Sequence, residues 1–344
     1  MAAGALVAVA GIWMAWASGS AIGSGTKTVE IPLGAARSRI ATLLREGGAI
    51  KSRTAFLLFS RVRRGALRAG EYEFGPRDGL SAVLAKLHGG KVLLHAVTVP
   101  EGFDSDQIAL AIEAKGLCKA DAFRAALRDA ALLSSHRIEA ATSEGYLFPD
   151  TYRVPKGITA RQLAGMMLDQ FDRRVGDTLR AAAKPAGLSF HQALTLASLI
   201  EKETGKSDER PLVSAVFHNR RAQKMRLESC ASVYYALKLA GRKPAGDAAD
   251  LPTGAGIPRH ASRLKLADLD VDSPYNTYRH MDLPPGPICS PGLPAIQAAL
   301  APANVPYVFF VSRGDGGHDF AARYEDFLKD KRANKRKTRA AKIS

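Results

Sequence analysis

Cysteine is scarce. Cys118, Cys230 and Cys289 are all that 344 residues contain, too few for a disulfide scaffold. None has CxxC or Cys/His spacing, so no zinc site or other metal is expected. Aromatic residues make up only 7%, with two tryptophans, Trp13 and Trp16. No period of 20–50 residues recurs, which excludes a solenoid. Asp, Glu, Lys and Arg are absent from Met1 to Thr26. Acidic residues are also short overall, 33 against 49 basic ones, for a net charge of +16. Such an excess points to a polyanionic partner. Nucleic acid is not expected, since there is no zinc, RRM or helix-turn-helix signature. The apolar and charged fractions, 46% and 24%, are ordinary and exclude global disorder, collagen and a polytopic membrane protein.

The charge-free start is apolar from Ala2 to Ile22, about long enough to span a bilayer. Trp13 and Trp16 lie towards its outer end, as interfacial aromatics do. The expectation is a transmembrane anchor over 1–23, with the chain exported after about Lys27. A cleaved signal with Ala15-Trp16-Ala17 as its site is one alternative, and a buried helix another. The basic n-region expected of either an anchor or a signal is missing. At the other end, 329–344 is dense in Lys and Arg and reads as a solvated or frayed tail.

Between the ends the pattern predicts an α+β protein of two domains. From 24 to 98, strands at Val29–Pro32, Gly70–Phe74 and Lys91–Val99 alternate with helices at Arg37–Arg45, Arg53–Arg61 and Leu80–Leu87. From 99 to 328 helices dominate: Ser105–Ala114, Ala120–Arg128, Thr159–Arg180, Phe190–Thr204 and Glu209–Gln223. A buried strand is expected at Tyr307–Ser312.

Two acids stand near the end of the most apolar helix, in Ala197 to Thr204 (ASLIEKET). At 100° per residue Glu201 shares a side with Phe190, Leu194 and Ala197, and Glu203 lies nearer Leu196, Leu199 and Ile200. A carboxyl on an apolar face is raised in pKa, as a general acid needs. Salt bridges to Arg220 or Arg221 would explain the same acids structurally. Residues i and i+2 point roughly 200° apart, so both acids cannot face one cleft as a two-carboxylate glycosidase pair does. The wheel does not choose between them.

Six blocks occur in order: Glu144 to Tyr152 (EGYLFPDTY), ASLIEKET, Ser214 to Arg221 (SAVFHNRR), Met225 to Leu237 (MRLESCASVYYAL), Ser273 to Gly292 (SPYNTYRHMDLPPGPICSPG) and Ala298 to Phe320. Together they closely resemble the MltG (YceG-like) family of endolytic murein transglycosylases. The resemblance implies an inner-membrane anchor, a LysM-like module over 24–98, and a periplasmic catalytic domain over 99–328. It carries the catalytic glutamate to Glu201. It carries cleft residues to Asn219, Arg220, Ser273, Tyr275, Asn276, Tyr278, Glu144, Asp150 and Glu228. It implies cleavage of MurNAc–GlcNAc bonds within peptidoglycan strands to 1,6-anhydro ends, ending strand growth, without cofactor. Peptidoglycan synthases (penicillin-binding proteins) become candidate partners. Glu228-Ser229-Cys230-Ala231-Ser232 departs from the usual Gln-Thr/Ser-Asp-Pro-Thr, and that change leaves a non-catalytic peptidoglycan-binding scaffold as the alternative. Cys289 also replaces a usual Ala or Thr. Since the resemblance puts Cys230 and Cys289 around one cleft in an oxidising compartment, they are expected to be near each other, within disulfide reach, with Cys118 free.

Overall fold

Val29, Ile31, Tyr72 and Phe74 alternate with polar neighbours, and this two-residue period becomes a ladder. In the computed structural model, which describes residues 11–63, 65–243 and 264–340, β1 (Lys27–Ile31) pairs antiparallel with β2 (Gly70–Phe74). The register runs from Lys27↔Phe74 to Ile31↔Gly70. Between the strands lie α1 (Arg37–Glu46) and α2 (Arg53–Val62), the latter started by Ser52, whose side chain accepts the Ala55 N–H. α3 (Leu80–Gly89) stops at Gly90, whose φ of 64° forms a left-handed cap. Ile40, Leu44, Phe56, Tyr72, Phe74, Leu84 and Leu87 form the core of this unit.

Ala17 and Ile22 are buried in the same core. Residues 11–18 are helical, and Ile12, Trp13 and Trp16 stay exposed. Among the described residues no helix is long and apolar enough to cross a membrane. Met1 to Ala10, nearly half of the expected span, lie outside the described residues. The far end of that span belongs to the folded unit, because Ala17 and Ile22 find apolar partners there.

The first unit comprises Met1–Val97, Lys115–Leu117 and Arg153–Ile158, and the second Thr98–Ala114, Cys118–Tyr152 and Thr159–Ser344. β3 (Leu94–Thr98) and β4 (Thr151–Pro155) form their own two-stranded sheet. The second unit continues with α4 (Ser105–Ala114), α5 (Ala120–Ala126) and α6 (Ala130–Ser135). The helix expected over Ala120–Arg128 ends early because Asp129 turns away to cap α6, accepting the Leu132 N–H at 2.9 Å. α7 (Ala160–Ala182) opens on a Thr159/Gln162 capping box and kinks at Gly176, where φ is 64°.

α8 (Phe190–Glu203) is the axis of the second unit. It opens on a Ser189/Gln192 capping box, and every residue from Ala193 to Glu201 is buried. A helix apolar nearly all round needs neighbours on every side. α9 (Arg210–Ala222), α10 (Cys230–Leu239) and α11 (Leu293–Leu300) supply them.

β5 (Phe309–Ser312) and β6 (His318–Ala321) make an antiparallel hairpin, Phe309↔Ala321 to Ser312↔His318. The strand expected over Tyr307–Ser312 is shorter and only half-buried. Of the tail expected to be solvated or frayed, the described part is a largely exposed helix, α12 (Tyr324–Ala340). Tyr324 and Phe327 pack on Phe309 at 5.6 and 5.3 Å, and Asn334 Nδ2 donates to Asp319 Oδ2 at 2.8 Å. Helices with three small two-stranded sheets among the described residues make this an α+β protein.

Candidate active site

Glu201 and Glu203 take different partners, as a 200° separation requires. Glu201 is 7% exposed. Its Oε2 accepts the Gly292 N–H at 3.0 Å, and its Oε1 lies 3.6 Å from the Arg210 guanidinium. Gly292 is the N-cap of α11, so Glu201 ties the end of α8 to the positive end of α11. Burial raises its pKa, the Gly292 N–H opposes that, and the Glu101 carboxylate adds to it. Glu101 itself lies against Gly292, where any Cβ would collide with it, and 3.9 Å from Arg210.

Glu203 faces another helix end. Its Oε1 accepts from Ser229 Oγ at 2.5 Å, and Ser229 is the N-cap of α10. Burial pushes its carboxyl above the ordinary range, while Ser229, His318 and the Ala231 N–H favour the anion. Its charge reaches Cys230 and Tyr278: burial raises each first, Glu203 comes next for Cys230, and for Tyr278 Glu203 acts after Cys230. Tyr278 and Cys230 share a hydrogen bond, Oη to Sγ at 3.3 Å. Unlike Glu201, Glu203 is only partly buried.

The residue types around Glu203 come from separate blocks, stitched by Thr277. Its Oγ1 accepts the Ser229 N–H at 2.9 Å and meets Ser232 Oγ at 2.8 Å. Its carbonyl accepts the Glu228 N–H at 3.2 Å. Glu228 sits at φ 53°, a left-handed conformation unusual for a glutamate, and its half-exposed carboxylate meets Arg220 Nη1 at 2.9 Å. Arg220 is buried and donates to the carbonyls of Val308, Arg226 and Leu227 at 2.6, 2.9 and 3.2 Å. It therefore pairs with Glu228, and neither it nor Arg221, which pairs with Asp282, neutralises Glu201 or Glu203.

The other expected site residues divide between loop supports and a second cluster. Asn219 Nδ2 donates to the carbonyls of Val305 and Tyr307, each at 2.8 Å. Asn276, fully buried, donates to those of Leu269 and Val271, and its Oδ1 accepts the Tyr278 N–H at 3.0 Å. Ser273 Oγ accepts the Tyr275 N–H at 3.3 Å. Asp150 accepts from Gln170 Nε2 at 2.6 Å. Glu144 caps α4: it accepts the Ser105 N–H and, at 2.6 Å, the Ser105 hydroxyl. Burial pushes its pKa up to about 7, against the Ser105 bonds. Tyr235 donates to it at 3.4 Å and packs on Tyr275 at 4.9 Å.

The three cysteines are free. The expected pairing is not formed: Cys230 Sγ meets Tyr278, whereas Cys289, fully buried, donates to the Ser198 carbonyl at 3.4 Å. Sequence reasoning missed Glu101, Arg210, Glu209 and His318. Of these, only His318 lay in a quoted block, and nothing in that block singled it out. No group of three His, Cys, Asp or Glu able to hold a metal occurs among the described residues.

A family model described as "YceG-like family" matches residues 29–333. The chain belongs to the YceG-like family. It is 30% identical to an endolytic murein transglycosylase of Bacillus subtilis, over 89% of this chain and 84% of that protein. It is 28% identical to one of Streptococcus pneumoniae, over 87% of this chain, and the match spans 56% of that relative. The crystal structure of a putative YceG-like protein from Listeria monocytogenes superposes with a TM-score of 0.58 at 30% identity, covering 88% of this chain and 98% of that one. The family match to this YceG-like chain thus includes all of α8 to α11 and the hairpin.

Proposed function

We propose that this YceG-like chain is an endolytic murein transglycosylase, with Glu203 rather than Glu201 as its proton donor. The observation that carries the reading is the convergence of three sequence blocks, EKET, Glu228–Ser232 and SPYNTY, on the Glu203 carboxyl. Relatives named for that activity support the substrate. Glu203, whose carboxyl is pushed above its ordinary range by desolvation, gives its proton to the glycosidic oxygen between N-acetylmuramic acid and N-acetylglucosamine. The C1–O bond breaks with an oxocarbenium-like centre on the muramyl sugar. The Glu203 carboxylate, favoured by Ser229 and the start of α10, then takes the proton of the muramyl 6-hydroxyl. O6 closes on C1 as a 1,6-anhydro ring. The nucleophile is intramolecular, so no second carboxylate or activated water is needed.

The reading extends to location. The apolar start of the chain ahead of Ala17 anchors it in the inner membrane with the catalytic unit in the periplasm; exposed Ile12, Trp13 and Trp16 support this. The first unit serves as the LysM-like, glycan-facing module, supported by its strand–helix–helix–strand order and antiparallel ladder. Peptidoglycan synthases are the fitting membrane partners, because they supply the nascent strand.

Digestion of long uncrosslinked glycan with the parent, Glu203→Gln and Glu201→Gln tests this by product mass. The parent should give internal fragments ending in 1,6-anhydromuramic acid, one water lighter than hydrolytic products. Glu203→Gln should fold and lose activity by roughly 10²-fold or more. Glu201→Gln should keep most of it, since an amide oxygen still accepts the Gly292 N–H. The reverse result returns the acid to Glu201. Reducing ends mean hydrolysis, and no cleavage at all leaves a scaffold.

A further inference from the structure

The first unit holds a pocket of about 470 Å³, lined by Arg63, Gly65, Ala66, Arg68, Ala85 and His88. That is the size of a small-ligand site. Two arginines stand among small residues, and no acidic side chain lines the pocket.

Local geometry builds it. Arg63 is the C-cap of α2, and its Nη1 donates to the Ser81 carbonyl and hydroxyl at 3.3 and 3.4 Å. Both acceptors are neutral, so they place the guanidinium without cancelling its charge. Arg68 is tied to α3 through its N–H, which donates to the Leu87 carbonyl at 3.0 Å. Its side chain lies over Gly90, where a Cβ would come within 2.6 Å of Cδ, and the carbonyl end of α3 favours a cation there. Gly65, at φ 143°, lets the chain pass close to His88: a Cβ would stand 3.0 Å from Nδ1. That nitrogen bonds the Ala66 carbonyl at 3.2 Å, so the imidazole serves as a wall. Arg37 of α1 donates to the Ser60 and Gly65 carbonyls at 2.8 and 3.0 Å and pins the loop.

Two further features adjoin Arg63. Leu58 and Val62, one turn apart on α2, are 47% and 81% exposed. Ser81, which holds Arg63, is two residues from Gly79. Gly79 has no room for a Cβ, because the Ser18 carbonyl would be 2.8 Å away. Arg63 therefore stands close to where the chain leaves the helical stretch 11–18, with its exposed Trp13 and Trp16. Cations beside exposed apolar and interfacial aromatic side chains suit a charged bilayer surface.

We propose that this pocket binds the phosphate of an anionic phospholipid headgroup, with Leu58 and Val62 entering the acyl boundary. Arg63 and Arg68 supply forked donors that match phosphate oxygens. A stem-peptide carboxylate would meet the same cations but would leave the Leu58–Val62 ridge in water. The proposal rests on the apolar start of the chain reaching the bilayer.

The test is calorimetric titration of the full chain, in a neutral detergent, with dihexanoyl-phosphatidylglycerol, dihexanoyl-phosphatidylcholine and inorganic phosphate. Phosphatidylglycerol should bind on the order of tenfold more tightly than either of the others. Arg63→Gln/Arg68→Gln should weaken it by roughly tenfold or more. Arg39→Gln/Arg53→Gln, which removes the same charge outside the pocket, should leave it unchanged. Val62→Ser should weaken the lipid and spare inorganic phosphate. Equal binding of the two lipids, or equal loss in the two double variants, overturns the proposal. So does inorganic phosphate binding as tightly as the lipid, which makes this a site for the free anion, or a peptidoglycan stem tripeptide that outcompetes it. A full chain that fails to float with phosphatidylcholine vesicles instead removes the anchoring reading beneath it.

Discussion

The Ser229 hydroxyl donates to Glu203 Oε1 at 2.5 Å, joining the last turn of α8 to the N-cap of α10. Ser229 makes no side-chain bond to its own helix, so its hydroxyl serves the acid. Ser229→Ala should leave α10 intact and remove a bond to the charged form of Glu203. The pKa of Glu203 should rise, shifting the alkaline limb upward. A charge-assisted bond of this kind is worth about 1.5–3 kcal/mol, so the limb should move up by about one to two pH units. Glycan cleavage measured across pH 5–9 checks it, and a parental profile would show that Ser229 is only a neighbour.

Glu144 makes folding stability depend on pH. Its folded pKa, about 7, lies above its ordinary value of 4.5. The folded state therefore holds a proton that the unfolded state gives up, and the stabilisation is full below about pH 4.5 and lost as pH rises through 7. The loss is on the order of 3 kcal/mol. Glu144→Gln keeps an acceptor for Ser105 and has nothing to titrate. Urea unfolding at pH 5 and pH 8 should show the parent losing more stability than the variant; equal losses would count against a buried, protonated Glu144.

Asn276 supports the cleft without needing to touch glycan. Both ends of its amide are bonded inside a fully buried site. Asn276→Ala strands the Leu269 and Val271 carbonyls and frees the Tyr278 backbone. Destabilisation of about 2–4 kcal/mol is expected. Thermal unfolding should register it, whereas a substrate contact alone would raise KM and leave Tm in place.

Cysteine chemistry gives the simplest check. Unfolded without reductant, the protein should take up three equivalents of a thiol reagent, because Cys118, Cys230 and Cys289 are all free. One equivalent would restore the Cys230–Cys289 bridge.

Local pattern carried much of the first unit. The β1–β2 ladder follows from alternation in GEYEF, and α2 starts at its Ser52 cap, because these signals act over a few residues. The break at Asp129 was less legible, since a cap and a helix interior compete for the same residue. The helix of the basic tail was illegible for a different reason: Tyr324, Phe327 and Asn334 anchor α12 to a hairpin whose partner strand, His318–Ala321, has no clear signature of its own.

By itself the sequence determined the α+β class, the family through its ordered blocks, and the rule that Glu201 and Glu203 face opposite ways, since helical spacing is local geometry. Only the tertiary structure decided which acid meets which blocks. Glu201 reaches Gly292 and Arg210, and Glu203 reaches Ser229 from α10 and the influence of His318 from β6. Those partners are 26 to more than 100 residues away along the chain, except Arg210. Packing of α9, α10 and α11 around α8, with β5 of the hairpin against α9, brings them together, and no periodicity within one segment encodes that packing.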